Sequence, residues 1–487
     1  VECCEGGNAM LRTGDQYRGR LRSYKTNIYM LGEKIENPLE HPCIKPVVNS
    51  IAVTFDGVET GVPPEELFVD SPLSGERINR HNHLFTGAED AITRVKLLRR
   101  LTRATGACTH RCIGIDALNT LDIVTREIDT ERKTDYHERF RNFLKYVQDN
   151  DLAVAASVTD PKGDRNLRPS QQSDPDLYLH VVDQTPDGIV VRGAKAHQGR
   201  PMAVDYTLVM PTTALAAGEE RYAVAFAVPT GTPGITMVMG TGAPEALRLI
   251  GQAEDFGNAA FGEHPGALVV FEDVFIPWEN VFMFGEVEYT GRLIELFVRY
   301  HRLAAGGCKA GLCDVIVGAA AQIAEYNGIV KASHLKEKLT EMVRLAETTF
   351  SCSIAAGTLG EFVPGGNYIP NGLLASVGKL NAVEALSVSM KLLGEISGAL
   401  AATAPAVKDL RSPEIGGIIK KYLTGSANVT CEDRLKLFRL IGNLLFGVQG
   451  LVGIHGGGSP QAQRMMIYSQ SELKAKTAAA RKLAGIE

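Results

Sequence analysis

The chain has 487 residues, of which 45% are hydrophobic and 22% charged. That balance belongs to ordinary globular proteins and excludes disordered, collagen-like and coiled-coil classes. The net charge of −5 leaves no basic footprint for nucleic acid. No apolar run of about 20 residues suggests a membrane span, and the N-terminal stretch lacks the basic and apolar regions of a secretory signal. Nine cysteines are too few for a disulfide scaffold at this length. A reduced, cytoplasmic chain is expected, its cysteines acting as core filler, metal ligands or reactive thiols.

At roughly 150 residues per domain, about three packed units are predicted. Residues 1–9 read as a leader or cloning remnant, with Met10 the native start. Residues 10–150 are predicted to form an N-terminal helical domain. Val95, Leu98 and Leu101 share one helix face, and Phe140, Phe143, Leu144 and Val147 repeat that spacing. Residues 151–285 change character. Short β-rich runs at 188–192, 206–210, 222–228, 235–239 and 267–271 are separated by turn residues and predict a compact antiparallel barrel or sandwich. Residues 286–487 return to a helical period. The stretches 319–324, 335–345, 380–393 and 435–445 read as long bundle helices, whose length suggests oligomer packing.

Two segments carry candidate chemistry. In the first, Cys108 and Cys112 are four apart, so on a helix they share a face, displaced by roughly 6 Å along the axis. Two buried core cysteines are the commoner reading of such a pair alone. His110 lies between them but points off their face, as an outer or surface residue. In the second, His301 and Cys308 are seven apart and face one way from a helix. Gly306 and Gly307 between them permit a kink or bulge. The bland reading is a core histidine and cysteine near a close helix contact. Together the segments supply three thiols and one imidazole. Zinc accepts such a set, and so does an iron–sulfur cluster; spacing does not choose.

Three loops are candidates for a cofactor. One contains Thr159, Lys162, Asp164 and Arg165; the second contains Lys195, His197 and Gln198; the third contains His455, Gly456, Gly457, Ser459 and Gln461. Glycines in the third let backbone approach a ligand. The bland readings are a solvated turn, a polar strand end and a helix-joining loop. There is no P-loop and no dinucleotide fingerprint after a strand. Cys43, Cys313, Cys352 and Cys431 lack a partner pattern, and no Gly-x-Ser-x-Gly elbow supports a serine triad.

The helical–β–helical order, with the run 269–277 closing the β-region, resembles the acyl-CoA dehydrogenase fold: an α+β multidomain chain with an N-terminal helical domain, a central antiparallel β-domain and a C-terminal helical bundle. More narrowly, residues 29–37, 159–165, 192–198, 300–309 and 458–464 resemble the 4-hydroxybutyryl-CoA dehydratase/vinylacetyl-CoA isomerase family from about Met10 to the C-terminus. The resemblance implies a [4Fe-4S] cluster held by Cys108, Cys112, His301 and Cys308. It also implies non-covalent FAD between the β-region and the final bundle, at the three loops above, in a homotetramer. In the family's chemistry the flavin takes one electron from a thioester enolate, which acidifies the C3 proton, while the cluster acts as Lewis acid on the departing hydroxyl. His301 doubles there as ligand and proton acceptor, and Lys309 is retained.

This chain departs from the family elsewhere. Ala305 stands where the dehydratases carry a tyrosine, Gly266 replaces a glutamate, Gly199 replaces a threonine, and Leu451, Val452 and Gly453 occupy a stretch that should hold another glutamate. A general base cannot become alanine or glycine without rerouting the proton. The expectation is therefore a retained cofactor pair with an altered, bulkier substrate, of which an acyl-CoA is one candidate, and with no nucleic-acid or membrane partner. The alternatives are a flavin-dependent aromatic-ring monooxygenase of the related 4-hydroxyphenylacetate hydroxylase group, and a non-catalytic scaffold.

Overall fold

In this computed structural model, residues 11–109, 111–262 and 266–486 are described. The leader at 1–9 and His110 lie outside them. Three helices dominate the N-terminal third: α1 (Ala88–Thr105), α2 (Arg111–Arg132) and α3 (Tyr136–Asp149). The predicted apolar faces are the buried ones: Val95, Leu98 and Leu101 on α1, and Phe140, Phe143, Leu144 and Val147 on α3. Glu89 and Asp90 in the first turn of α1 suit its positive N-terminal end. Gly106, at φ 62°, ends it in the left-handed conformation that glycine adopts without cost.

Before these helices, β1 (Ile28–Met30) and β2 (Glu33–Lys34) leave the helical region and join a sheet. The strands that follow are β3 (Val154–Ser157), β4 (His180–Thr185), β5 (Gly188–Gln198), β6 (Tyr206–Val209), β7 (Val224–Pro229), β8 (Ile235–Met239), β9 (Ala267–Pro277) and β10 (Val281–Phe284). They form a six-stranded sheet in the order β2-β1-β8-β9-β5-β4 and a four-stranded sheet in the order β10-β7-β6-β3. The antiparallel expectation needs correction. β1 runs parallel to β8, and β3 runs parallel to β6. Neighbours so distant in sequence are joined by long crossovers rather than hairpins, and local turn signals do not report them.

The C-terminal part holds α4 (Val287–Tyr326), α5 (Ser333–Thr358), α6 (Gly372–Ser397), α7 (Cys431–Phe446), α8 (Gln449–His455), α9 (Pro460–Gln470) and α10 (Leu473–Leu483). One core runs from α2 and α3 through the four-stranded sheet to α4, joining Leu118, Phe140, Phe282, Leu296 and Tyr300. Two segments, Val287–Tyr326 and Cys431–Gln470, are long and apolar enough to cross a membrane by length and composition, where the sequence reading expected none. In both, the large apolar residues are interrupted by glycine, alanine or polar residues, so no unbroken run forms. In the first, 78% of the most apolar stretch is buried inside the protein, as in a core helix; in the second, 33% is.

Candidate active site

The cysteine pair is not built as expected. Gly106 stops α1 and α2 starts at Arg111, so Cys108 sits in the connecting loop and only Cys112 is helical. Thr105 holds this loop: its hydroxyl donates to the carbonyl of Ala107 and accepts from the Ala107 amide. The two cysteines nonetheless meet. Hydrogen bonding to Cys108, then burial, then the charges of Cys108, Asp116 and Cys308 push the Cys112 thiol well above its ordinary range.

α4 brings the other two donors. Cys112 and Cys308 share an apolar cluster with Leu98 and Ala304, and Cys108 packs against it. Ala304 follows His301 by almost one turn, so thiols and imidazole lie along one side of α4. The glycines do not break this helix, which runs over 40 residues. They allow close contact instead. A Cβ on Gly307 would overlap the Val95 carbonyl of α1, and one on Gly306 would overlap the Ser353 hydroxyl of α5. Close helix contact, the bland alternative for this segment, is the geometry found.

His301 is anchored. Its Nδ1 lies 2.8 Å from Oδ2 of Asp116, and its ring stacks on Phe297 at 5.8 Å. Asp116 is fully buried, and its other oxygen is 2.6 Å from Arg94. Arg94 also donates to the Cys112 carbonyl at 2.8 Å. An ionised carboxylate only accepts, so the proton belongs on Nδ1 and the Nε2 lone pair stays available. A carboxylate behind a histidine in this way is the usual support of a metal-ligating imidazole. Asp116 was not anticipated; its spacing, one helical turn after Cys112, was the available signal.

Among the described residues, no group of three or more His, Cys, Asp or Glu side chains could hold a metal ion. The four donors thus do not close around one ion. A four-iron cluster is a larger body whose ligands stand farther apart, and three thiols plus a carboxylate-supported imidazole are chemically suited to it.

The flavin candidates fall into two places. Thr159 accepts from the Ala196 amide and from Gln198, so the first two loops pack together. Lys162 adopts a left-handed φ of 77°, while Asp164 and Arg165 are exposed, the former capping Asn166. Across β5 and β9, Gln198 faces Ala267 but Lys195 faces Val269, so β5 carries one extra residue, and His197 within it sits at φ 58°. This bulge turns Lys195 and Gln198 to the same, buried side and leaves His197 exposed. The Lys195 ammonium ends 2.8 Å from Asp160 and donates to the carbonyls of Val158 and Met210. Gly266 lies against the backbone of His197 and Gln198, so it and Gly199 sit at one end of the same strand pair.

The third loop lies against the thiol–imidazole site. The position of a Cβ on Gly457 is 3.3 Å from His301, 3.5 Å from Arg302 and 3.9 Å from Lys379. His455 and Gln461 are exposed, Gly456 is half-buried, and Ser459 caps α9 by accepting from the Ala462 amide. No hydrogen bond joins this loop to the other two among the described residues. Lys309, 8% exposed, donates to Gln449 at 2.7 Å.

Comparison with known proteins decides the family. Profiles for the N- and C-terminal parts of 4-hydroxyphenylacetate 3-hydroxylase match residues 13–283 and 290–485. The 4-hydroxybutyryl-CoA dehydratase/vinylacetyl-CoA-Delta-isomerase of Clostridium aminobutyricum is 40% identical over 98% of this chain and 100% of its own length. The chain belongs to the 4-hydroxybutyryl-CoA dehydratase family. An oxygen-tolerant archaeal dehydratase structure from N. maritimus superimposes on this family member with a TM-score of 0.95 at 40% identity, covering 98% of this chain and 96% of that one. The oxygenase component of 4-hydroxyphenylacetate 3-monooxygenase, complexed with FAD, gives 0.84 at 27% identity, covering 97% and 99%. Glutaryl-coenzyme A dehydrogenase, at 0.51 and 14%, shares the fold alone.

Proposed function

We propose that this dehydratase-family chain is a flavin- and iron–sulfur-dependent lyase that removes water from an unactivated position of an acyl thioester, with isomerase activity on the same site. The gathering of Cys108, Cys112 and Cys308 beside an Asp116-supported His301 carries the reading. These four residues would hold a [4Fe-4S] cluster, and FAD would lie near the loops at 159–165, 195–198 and 455–461. When bound, the cluster supplies a Lewis acid for a departing hydroxyl and the flavin a one-electron partner.

The chain's own residues set the rest. Asp116 keeps the proton on His301 Nδ1, so Nε2 is the atom that ligates or accepts a proton. Lys309, beside Cys308, offers a second proton-carrying group. Ala305, Gly199 and Gly266 offer none, which supports a substrate altered from 4-hydroxybutyryl-CoA. Exposed apolar side chains on the C-terminal helices, including Leu451 at 72% and Tyr468 at 67%, support a homotetramer. Free cysteines, with no disulfide among the described residues, support a cytoplasmic location.

Anaerobic purification tests the reading. The expected product is brown, with about four irons per chain and a flavin band; Cys308→Ala loses the iron. A yellow, iron-free protein overturns this in favour of the monooxygenase reading, which the likeness to the FAD-bound oxygenase keeps in view. A colourless one leaves a scaffold role. Turnover of 4-hydroxybutyryl-CoA at rates normal for the family overturns the altered substrate.

A further inference from the structure

Three cations are buried between α4, α6 and the glycine-rich loop: Arg302 at 2% exposure, Lys309 at 8% and Lys379 at 1%. Arg302 and Lys309 are seven apart on α4, so they line one side of it, next to the side that carries His301 and Cys308. Lys379 approaches from α6. Burying a charge without an opposite charge is costly, and native proteins normally pair it.

Neither Arg302 nor Lys379 forms a salt bridge among the described residues; burial, then the Lys309 charge, brings the Lys379 ammonium down to about 7, with the Cys308 thiol opposing the fall. Lys379 donates to the carbonyl of Gly453 at 2.7 Å. Arg302 donates to the carbonyl of Gly457, the hydroxyl of Ser376 and the sulfur of Met466. All of these acceptors are neutral. Glu295 is the acid whose charge bears on Arg302, and it is already ion-paired with Arg292 and Arg299. Arg302 Nη2 and two of the three Lys379 N–H bonds have no acceptor among the described residues. The same two side chains and His301 converge on Gly457, within 4 Å of where its Cβ would stand. These two cationic side chains therefore adjoin the imidazole.

We propose that Arg302 and Lys379, with the Lys309 charge behind them, form an anion subsite that takes a carboxylate carried on the acyl part of the substrate. A carboxylate fits because it accepts from a guanidinium and an ammonium together, through charge-assisted bonds that neutral acceptors do not match. The subsite rests on the reacting centre being at His301, as in the function proposed above. It narrows the substrate class to acyl thioesters with a second, free acid group.

The test compares succinyl-CoA with butyryl-CoA, which differ by one carboxylate, in titrations of the purified holoenzyme followed by calorimetry. Iron and flavin are assayed in the same samples. Succinyl-CoA is expected to bind at least about tenfold tighter. The ratio is expected to fall to about one in Lys379→Met, and to recover in Lys379→Arg. Equal binding in the unmodified protein, or a ratio unchanged in Lys379→Met, overturns the proposal. Free succinate, free butyrate and inorganic pyrophosphate form the control arms. If pyrophosphate binds through Lys379 and succinate does not, the cations serve a cofactor phosphate and the proposal fails. If neither thioester binds, the thioester reading fails, and the ratio of free succinate to free butyrate still decides the subsite. Should Lys379→Met not fold, Lys379→Arg together with loss of the succinate preference at high salt gives the same decision.

Discussion

Nδ1 of His301 and Oδ2 of Asp116 lie 2.8 Å apart, with the carboxylate fully buried and held from its far side by Arg94. The pair links the α2 and α4 segments that carry the cysteines, and it fixes which nitrogen of the imidazole is available. Asp116→Asn keeps the shape but removes the charge that holds the Nδ1 proton. Iron retention or dehydration activity is expected to fall roughly 10- to 100-fold, the usual cost of losing such support. Iron content and turnover measured together check it; unchanged values for both would detach Asp116 from the site.

Gly307 stands at a close helix contact. Its missing Cβ is where the Val95 carbonyl passes. Gly307→Ala should force α1 and α4 apart at a cost of about 1–3 kcal/mol, lowering the melting temperature and loosening iron binding. Gly318, with open space around it, supplies the control: Gly318→Ala should leave the melting temperature unchanged or raise it.

Lys195 is committed to the interior. With Lys195 and Asp160 at 2% and 4% side-chain exposure, Lys195→Met strands a buried carboxylate. The expected loss is about 3–5 kcal/mol of stability, seen in chemical denaturation. Lys195→Met with Asp160→Leu should recover part of it. Flavin affinity per folded molecule should change little, because the ammonium already ends on Asp160 and two carbonyls.

Asp151 gives a pH signature. Burial, opposed by Arg111, raises its carboxyl to about 7. Between the unfolded value near 4 and this folded value, the folded state holds a proton that the unfolded chain has lost. Stability from this group is therefore greatest below pH 4 and is lost as pH rises to about 7. Asp151 sits at φ 40°, a left-handed conformation that asparagine tolerates. Relative to the unmodified protein, Asp151→Asn should gain stability progressively from pH 4 to 7 and hold a constant offset above. Denaturation midpoints across that range test it, and a flat difference rejects it.

The exposed apolar side chains near the C-terminus predict assembly. Leu451→Asp places a charge on a residue that is 72% exposed in the single chain. If the homotetramer covers it, sedimentation should show smaller species for the variant, with secondary structure unchanged.

Much of the secondary structure was legible locally. The apolar faces of α1 and α3 and the cores of β5–β9 follow from periods of 3.6 and 2, which are properties of neighbouring residues. Residue types and spacing likewise singled out Cys108, Cys112, His301 and Cys308 as possible ligands. What spacing misjudged was the backbone beneath them: a loop at Cys108 where a helix was expected; at Gly306 and Gly307, where spacing left a kink or a close helix contact open, packing supplied the contact. Both depend on which distant element packs there.

Sequence alone therefore determined the donor types, the helical–β–helical order and the family to which the chain belongs. Tertiary structure decided which side chains act together: Asp116 behind His301, the bulge that buries Lys195, the parallel strand pairs, and the cations meeting at Gly457. Each joins residues remote along the chain. Such partnerships depend on burial and three-dimensional approach, which no local pattern encodes.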